Sequence, residues 1–469
     1  MNNLELIYIV ETIFEEFNTN LSPSDIFDSF AYDNYSVFLD NSINSSLSEN
    51  YSYITSDPFL IVTSKGNNIR IKEGETIKEL IGNPFVVLNE LIKKYNFKDG
   101  IDLAPFQGGA IGYMSYELRH HVEDMNSNAV DQLKLPEMNF GFYDWVISIN
   151  HYKNVTNLIS TILPGNKHDS ALKRIEWIKD KIENPINVLK KNKIKIGGLK
   201  SNFSKNEYIN SVKKIKKYIQ KGDVYQVNIA QRYEIELEES SWDLYKRLRK
   251  ITPSKYSAFL KYPELDILST SPEHFVSLKD SLVESNPMKG TRPRGDNCIL
   301  DKELLNDLKN SSKDKAENLM IVDVVRNDLG KVCIPGSIKV DNLFKIEKYE
   351  HVFQMITDIS AKLINNYNHI DLILSCFPGG SITGAPKIRA MEIIDELEPV
   401  ERNVYCGAIG YFGFNGNMKT SIPIRTMIVK DAKGYFHVGG GIVHDSIPSM
   451  EYQETLDKAK GFFKVLNID

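Results

Sequence analysis

The sequence predicts an α+β protein in which many strands alternate irregularly with a few long helices. Strand-like runs with alternating apolar residues occur along most of the 469 residues. Long helical patterns occupy residues 300–328, 385–397 and 449–465. The elements do not follow the regular period of a βαβ array, and the sequence contains no internal repeat of fixed length. An α+β fold therefore explains the pattern better than a doubly wound parallel sheet.

The composition is that of a globular protein and excludes several functional classes. Hydrophobic residues make up 42% and charged residues 25% of the chain, and the net charge is −5. These values exclude a disordered chain and a general binder of nucleic acid or membrane surfaces. The N-terminal segment has acids where a signal peptide has basic residues, and no run of 18 apolar residues occurs. We expect a soluble, cytoplasmic protein that binds anions through a local positive site.

Two ranges of different character flank a polar segment. Strand-like runs occupy residues 35–63, and the glycine-rich residues 106–118 indicate a strand or loop close to another backbone. Residues 166–203 are rich in lysine and asparagine, which is typical of a linker. We therefore predict an N-terminal domain over 1–165 and a larger domain over 204–466, joined by a linker that is not structurally independent.

The larger range begins with the clearest local pattern in the chain. An amphipathic helix ends near Gly222 and a strand follows, in NEYINSVKKIKKYIQKGDVYQVNIAQRYEIEL. Residues 256–278 indicate a strand meander (YSAFLKY, DILSTS, EHFVSL), and GAIGYFGF, SIPIRTMIV and YFHVGGGIV indicate further strands. The long helices are interspersed among these strands.

Two glycine-rich segments are candidates for ligand contact. Residues 379–387 lead into a helix, but Ala385 and Pro386 separate the last glycine from Lys387, which departs from a phosphate-binding loop. A plain helix cap is the favoured interpretation, although such a helix end can also hold a carboxylate. The glycines at 439–441 lie inside a strand, where they indicate either close approach of a ligand to the main chain or a bulge.

Acidic residues on two predicted helices are candidates for binding a divalent cation. Glu451, Glu454 and Lys458 lie on one face of the last helix, a spacing that most often means a solvated stripe. Glu317 lies at the edge of an apolar helical face, where a carboxylate costs free energy unless it is paired or bound to a cation. Glutamates from two helices, completed by water and a substrate carboxylate, would suit Mg²⁺.

The segment over 269–295 (STSPEHF…ESNPMKGTRPRG) is the most distinctive in the chain. Lys289 is held in a tight loop between a proline and a glycine, unlike a mobile surface lysine. A lysine is nucleophilic only when deprotonated, which desolvation favours. Glu273 could give a proton to a leaving hydroxyl group if burial raises its pKa. Arg292 and Arg294 are equally consistent with structural anchoring and with substrate contact.

Six ordered motifs resemble those of the chorismate-utilising enzymes. They are SPEHF, PMKGTRPRG, AENLMIVDVVRNDLGKV, PGGSITGAPKIRAMEIIDELEP, GAIGYFGFNGNMKTSIPIRTM and VGGGIVHDSIPSMEYQETLDKAKG. They lie within residues 269–461, and GDVYQVNIAQR extends the resemblance back to about 204. The N-terminal part is similar only in FLDNS, YSYITSDPF and GGAIGYMSYE. The resemblance implies a large two-part α/β sandwich of the anthranilate synthase component I type, whose C-terminal half holds chorismate over a Mg²⁺ ion.

The resemblance also implies a role for each matching residue. The catalytic group is the nucleophile Lys289, the general acid Glu273 and the pocket histidine His351. The Mg²⁺ ligands are Glu317 and Glu454, with Glu451 as a nearby carboxylate. The substrate contacts are Gly290, Thr291, Thr383, Tyr405, Arg425, Gly440 and Lys458. The pair Arg425 and Tyr405 corresponds to the contacts with the enolpyruvyl carboxylate, where a guanidinium offers bidentate hydrogen bonding.

Three positions resemble the aminodeoxychorismate synthase branch of this family. Lys289 stands where anthranilate synthases have alanine, and it implies addition of lysine at C2 of chorismate followed by entry of ammonia at C4. Gln226 stands where isochorismate and salicylate synthases have the lysine that activates water. Residues 257–259 are Ser-Ala-Phe, unlike the Tyr-Met-Phe of the tryptophan-inhibited enzymes. The resemblance therefore implies 4-amino-4-deoxychorismate as the product, for 4-aminobenzoate and folate synthesis.

Several alternatives stay open at this point. The chain could be an anthranilate synthase component I, a bifunctional enzyme, or a non-catalytic relative that binds chorismate or a glutaminase. Glu273, Glu317 and Glu454 argue against the non-catalytic relative because the acid and metal ligands are present. The tryptophan-feedback signature Leu-Leu-Glu-Ser is replaced by residues 38–42 (FLDNS), so a bound tryptophan is not predicted.

The cysteines indicate how the chain obtains ammonia. A glutaminase nucleophile needs a cysteine on a tight G-x-C-x-G turn, and none of Cys298, Cys333, Cys376 and Cys406 has that setting. Their wide spacing also argues against a disulfide framework or a zinc site. We expect the chain to use free ammonia alone, and glutamine only as a heterodimer with a separate glutaminase subunit.

Overall fold

The computed structural model describes residues 8–43, 50–97, 103–125, 127–185, 198–349 and 352–468. The strands within these ranges are β1 (Tyr8–Glu16), β2 (Val37–Asp40), β3 (Tyr51–Thr55), β4 (Leu60–Lys65), β5 (Asn68–Glu73), β6 (Thr76–Ile81), β7 (Tyr95–Phe97), β8 (Gly109–Met114), β9 (Met138–Tyr143), β10 (Trp145–Asn150), β11 (Val155–Ile162), β12 (Lys200–Ser201), β13 (Gln226–Glu236), β14 (Tyr256–Lys261), β15 (Asp266–Ser271), β16 (His274–Lys279), β17 (Leu282–Ser285), β18 (Met288–Pro293), β19 (Lys339–Lys348), β20 (Val352–Lys362), β21 (Gly384–Ala385), β22 (Ala408–Gly413), β23 (Met418–Ser421), β24 (Thr426–Lys430) and β25 (Lys433–Ile442).

Ten α-helices lie within the described ranges, and several carry the caps that the sequence indicates. They are α1 (Pro23–Asp28), α2 (Pro84–Lys93), α3 (His168–Glu183), α4 (Lys205–Lys221), α5 (Ser241–Ile251), α6 (Cys298–Asn310), α7 (Ser312–Gly330), α8 (His369–Cys376), α9 (Lys387–Leu397) and α10 (Pro448–Val465). Helix α4 has a capping box at Ser204 and ends at Gly222, whose φ of 83° suits a glycine. This confirms the predicted helix and the strand β13 after it. None of the described helices is both long and apolar enough to cross a membrane.

Two large sheets form the framework. The first has the order β12-β13-β25-β24-β15-β14-β2-β3-β10-β11-β1-β7, with β21 also paired to β13. The second has the order β18-β20-β17-β16-β23-β22-β8-β9-β4-β5-β6, with β19 paired to β20. Their inner faces meet in a shared aromatic core, where the rings of Tyr53 and Tyr411 are 5.6 Å apart. Two mainly antiparallel sheets with interspersed helices confirm the α+β prediction and the sandwich.

Strands from both predicted domain ranges occur in each sheet. In the first sheet β14 pairs with β2, and in the second sheet β22 pairs with β8. The glycine-rich segment predicted to approach another backbone is β8, where a Cβ on Gly112 would lie 2.0 Å from the carbonyl oxygen of Asn139. The ranges 1–165 and 204–466 therefore share one continuous core.

Two local elements differ from the sequence pattern. Helix α3 lies inside the range predicted as a linker, where Ile175, Ile178 and Ile182 pack into the core beneath its many lysines. The single helical pattern over 300–328 is two helices, because Ser311 is extended (φ −62°, ψ 108°) and its Oγ accepts the N–H of Asp314 at 3.2 Å. In the first case the lysine-rich composition made an apolar helix face hard to recognise. In the second case the continuous helical pattern made the Ser311 cap hard to recognise.

Helices on the two sheets bring the predicted carboxylates toward each other. Helix α10 packs against β25 of the first sheet, and α7 packs against β18 and β20 of the second. Helix α7 carries Glu317 and helix α10 carries Glu451 and Glu454, and all three residues line one cavity.

Candidate active site

A cavity of about 1490 Å³ lies between these elements and collects most of the predicted site residues. Those that line it are Glu273, Lys289, Gly290, Thr291, Glu317, Tyr405, Arg425, Glu451, Glu454 and Lys458. They come from strands of both sheets, from two helices and from loops, so residues far apart in sequence converge on one space. Such a cavity with convergent polar groups is the usual form of a small-molecule site.

A bulge in β18 directs Lys289 into the cavity. The register of β18 against β20 shifts between Met288 and Thr291, so Lys289 and Gly290 form the irregular part. Gly290 has a φ of 84°, which favours glycine. The Nζ atom of Lys289 donates a hydrogen bond to the carbonyl oxygen of Ser381 at 3.1 Å. The local Pro–Met–Lys–Gly sequence thus fixes the lysine as the sequence analysis expects.

Burial moves Lys289 and Glu273 toward their neutral forms. Desolvation lowers the pKa of the Lys289 ammonium, and the charges of Glu317 and Glu273 oppose this shift. Glu273 is only 4% exposed, and its burial raises the pKa of the carboxyl group against the opposing charge of Lys289. The Oε1 atom of Glu273 has no hydrogen-bond partner among the described residues. Shifts in these directions favour the forms that a nucleophilic amine and a general acid require.

Three carboxylates line the cavity on the side of α7 and α10. A Cβ on Gly440 would lie 3.4 Å from Oε1 of Glu454 and 3.5 Å from Oε2 of Glu451, so both carboxylates flank this glycine. Burial raises the pKa of Glu317 and of Glu451, and the charge of Glu454 adds to each shift. Carboxylates that repel one another in a partly buried site are a donor set that fits a hard cation. Among the described residues, no three such groups converge closely enough to coordinate one ion.

Lysines partly neutralise these carboxylates. Lys458 lies 2.7 Å from Oε1 of Glu454 and donates a hydrogen bond to the carbonyl oxygen of Gly439 at 2.8 Å. Lys313 lies 3.9 Å from Glu317. The face of α10 that carries Glu451, Glu454 and Lys458 is therefore a cavity wall rather than a solvated stripe.

Arg425 provides an uncompensated positive charge. Desolvation lowers the pKa of its guanidinium, and no charge of a described residue opposes this shift. A partly buried guanidinium without a carboxylate partner suits a negatively charged ligand. The ring of Tyr405, on the same cavity wall, stacks on the imidazole of His437 with centroids 5.0 Å apart.

The remaining predicted residues have different settings. Thr383 does not line the cavity, because its hydroxyl donates to the carbonyl oxygen of Gly379 at 2.8 Å. His351 lies outside the described residues. Lys387 of the glycine-rich loop pairs with Asp328 at 2.6 Å, in agreement with a structural helix start.

The two arginines that follow Lys289 anchor structure. Arg294 forms two bonds with Asp301 of α6, at 2.7 and 2.9 Å. Arg292 pairs with Asp307 at 2.5 Å and with Asp314 at 3.0 Å. These ion pairs hold α6 and α7 against β18, and they favour the anchoring interpretation over substrate contact.

Sequence reasoning missed His437 as a cavity residue. The strand alternation of β25 places it on the same face as Gly439 and Gly441, and all three line the cavity. Burial lowers the pKa of His437, and its Nε2 has no partner among the described residues. The period of two along YFHVGGGIV was the signal that could have found it.

Gln226 lies close to the lysine. A Cβ on Gly441 would lie 2.9 Å from Nε2 of Gln226 and 3.5 Å from Nζ of Lys289. Both amide atoms of Gln226 are buried without a partner in the described structure. Only a glycine at position 441 therefore leaves room for the two side chains.

Comparison with known families and proteins agrees with this geometry. The family described as chorismate binding enzyme matches residues 51–464. The chain is 39% identical over 412 residues to aminodeoxychorismate synthase component 1 of Salmonella typhimurium, covering 87% of this chain and 88% of the relative. It is 38% identical over 429 residues to anthranilate synthase component 1 of Acetivibrio thermocellus, covering 89% and 87%.

A solved structure shares the fold. The crystal structure of anthranilate synthase component I from Streptococcus pneumoniae superposes with a TM-score of 0.79 at 29% identity, covering 89% of this chain and 93% of that chain. The two-sheet sandwich is therefore the architecture that the resemblance implied.

Proposed function

Because this chain belongs to the family of chorismate binding enzymes, we propose that it is the synthase component that converts chorismate and ammonia to 4-amino-4-deoxychorismate. The observation that carries this proposal is Lys289, a desolvated lysine held by a strand bulge in the same cavity as Glu273, a buried carboxyl group whose pKa burial raises. The product would supply 4-aminobenzoate for folate synthesis. Relatives named aminodeoxychorismate synthase component 1 support this activity.

The proposed chemistry uses Lys289 and Glu273 in sequence. The neutral amine of Lys289 adds to C2 of chorismate, both ring double bonds shift by one position, and the C4 hydroxyl leaves as water after accepting the proton of Glu273. Ammonia then adds at C4, both double bonds shift back, and the C2–N bond to Lys289 breaks. One water is released for each ammonia that enters, and a proton returns to Glu273 for the next cycle.

Two sets of residues would hold the two carboxylates of chorismate. Glu317 and Glu454, with Glu451 beside them, would hold Mg²⁺, which neutralises the ring carboxylate. Arg425 and Tyr405 would bind the enolpyruvyl carboxylate. Together they supply the local positive site that a chain of net charge −5 needs for a dianion.

The thiols support an external source of ammonia. Burial raises the pKa of Cys333 to about 11 and those of Cys376 and Cys406 to about 12. Thiols with such values are not thiolate nucleophiles at neutral pH, and Cys298 is exposed at the start of α6. We therefore propose that a separate glutaminase subunit delivers ammonia. The four free cysteines also favour a cytoplasmic location.

Anthranilate synthase is the second candidate, because a relative with that name is 38% identical. It would aminate C2 and release pyruvate. A lysine nucleophile that attacks C2 has no part in that reaction. Lys289 in the cavity therefore favours amination at C4.

Product identification tests the proposal. The purified chain is incubated with chorismate, Mg²⁺ and ammonium, with and without an aminodeoxychorismate lyase. The products are separated by chromatography and identified by mass spectrometry. We expect 4-amino-4-deoxychorismate, which the lyase converts to 4-aminobenzoate. Fluorescent anthranilate would support the second candidate, and no product from any nitrogen source would contradict both. Removal of Mg²⁺ with a chelator should abolish turnover, and added Mg²⁺ should restore it.

A further inference from the structure

Four exposed apolar side chains lie at one end of the first sheet. They are Tyr225, Ile388, Ile447 and Met450, between 47% and 72% exposed, and are called the mouth patch below. Single exposed apolar residues are ordinary, but several that lie together mark an interaction surface.

The strand register brings the mouth patch together. At the start of β13, Val227 pairs with Gly384 of β21 on one side and with Ile442 of β25 on the other. Tyr225 immediately precedes β13, and its N–H donates to the carbonyl oxygen of Ala385 at 2.8 Å. The segment after β21 leads to Ile388, and the segment after β25 leads to Ile447 and Met450.

Helix α4 connects the two sides of the mouth patch. Its residue Lys216 donates to the carbonyl oxygen of Ser446 at 2.5 Å, next to the start of α10. Two residues further along α4, the ring of Tyr218 lies 5.2 Å from the guanidinium of Arg389, which follows Ile388. The ends of α4, α9 and α10 thus form one surface.

This surface borders the cavity. Met450 directly precedes Glu451, which lines the cavity. Asn228, which follows Tyr225 by three residues, also lines the cavity. The segments that carry the patch therefore also form part of the cavity wall.

The flank of the mouth patch is basic. The outer face of α4 carries the exposed residues Lys213, Lys214, Lys217 and Lys221. A partner that covers the patch is therefore expected to present an apolar centre and an acidic rim.

Resting on the proposed function, we propose that the mouth patch is the docking surface of the glutaminase subunit. The proposed reaction needs ammonia inside the cavity, and none of the four cysteines lines the cavity where it could release ammonia from glutamine. A subunit bound at the patch releases ammonia next to the cavity, whereas a subunit bound elsewhere releases it into water, where protonation removes the nucleophile. The position of the mouth patch beside the cavity and the need for ammonia in the cavity thus both favour the glutaminase subunit as the partner that covers the patch.

Two substitutions place a charge in the patch without weakening the helices that carry it. Ile388→Glu lies in the first turn of α9, and Ile447→Asp is at the N-cap of α10, where acidic residues are favourable. Ile81→Glu is the matched control, because Ile81 is an exposed isoleucine on β6 at the far edge of the second sheet.

Affinity for the glutaminase subunit of the same organism is measured by calorimetry. Turnover is measured separately with glutamine and with ammonium.

We expect each patch variant to lose about 10-fold or more in glutaminase affinity and in glutamine-dependent turnover. Ammonium-dependent turnover should stay within about 2-fold of the unaltered chain, and Ile81→Glu should change nothing. Unchanged affinity in both patch variants would overturn the docking surface, as would failure of the unaltered chain to bind the subunit. If the unaltered chain makes no C4-aminated product from ammonium, the proposed function fails, whereas the affinities still decide where the subunit binds.

Discussion

At the scale of single residues, the site depends on what burial does to ordinary side chains. An exposed lysine is a cation and an exposed glutamate is an anion at neutral pH. In the cavity, desolvation moves the pKa of Lys289 down and that of Glu273 up. Both shifts are therefore in the direction of the protonation states that the proposed addition to C2 and departure of the C4 hydroxyl would require.

Replacement of the lysine tests its covalent role. Lys289→Ala should lower ammonium-dependent C4 amination by about 10³-fold or more, because the nucleophile is lost. Lys289→Arg keeps the positive charge but cannot become neutral, so it should be equally inactive. Rates of product formation, together with mass spectrometry of the intact chain for an adduct with chorismate, give the readout. Activity in Lys289→Arg close to that of the unaltered chain would show that the lysine acts only as a charge.

The pH dependence tests the pairing with Glu273. The active form needs a protonated Glu273, which is lost as pH rises through its pKa, and a neutral Lys289, which is lost as pH falls through its pKa. The two shifts bring these pKa values closer and increase the fraction of active enzyme, so kcat/KM should be bell-shaped in pH. Glu273→Gln should lower kcat by about 10²- to 10⁴-fold and remove one limb of the profile. An unchanged profile in that variant would exclude Glu273 as the acid.

At the scale of elements, the bulge in β18 turns a strand residue into a cavity residue. Gly290 makes this possible, since a Cβ there would meet Asp314 and Leu308 at 3.0 Å and the φ is positive. The Pro–Met–Lys–Gly sequence that forms the bulge is contiguous and can be seen in the sequence. The carbonyl group of Ser381, which accepts the hydrogen bond of Lys289, is far away in the chain and cannot be predicted from that local pattern.

Gly290→Ala should therefore disturb both stability and the direction of Lys289. Backbone strain of about 1–3 kcal/mol should lower the free energy of unfolding, and the contacts with α6 and α7 should displace the lysine and lower kcat. The matched control is Gly336→Ala, which has a φ of 80° but open space around the new methyl group. Thermal unfolding and steady-state kinetics separate the two effects. Equal kcat in both variants would show that the bulge does not direct Lys289.

At the scale of the whole molecule, the two halves of the chain complete each other's sheets. The pairs β14–β2 and β22–β8 lie in the interior of their sheets, so separation of the halves exposes strand edges and the shared core. The domain boundary in the sequence is thus not a boundary between independent folding units.

Expression of residues 204–469 alone should therefore give an aggregated or unfolded product. Coexpression with residues 1–203 as a second chain should restore a soluble complex with chorismate-dependent activity. Size-exclusion chromatography and thermal unfolding provide the measurement. A monomeric fragment 204–469 with a cooperative transition would contradict the shared core.

Local patterns indicated candidate residues, and the family resemblance gave them roles. Lys289 between proline and glycine, the acids of α7 and α10, and the glycines of β25 are visible because short spacings control which side chains share a turn, a helix face or a strand face. The same reasoning predicted α4 and its Gly222 cap. It missed α3 because a lysine-rich composition concealed the apolar face formed by its isoleucines.

The sequence by itself determined the family, the α+β class and ten of the predicted site residues that line the cavity, because its motifs are contiguous and their chemistry is local. Only the tertiary structure decided that both halves form one sandwich, that Thr383 bonds to the main chain and that His437 stacks beside Tyr405. It also decided the directions of the pKa shifts. Burial and convergence arise from contacts between segments far apart in the chain, and no local pattern contains them.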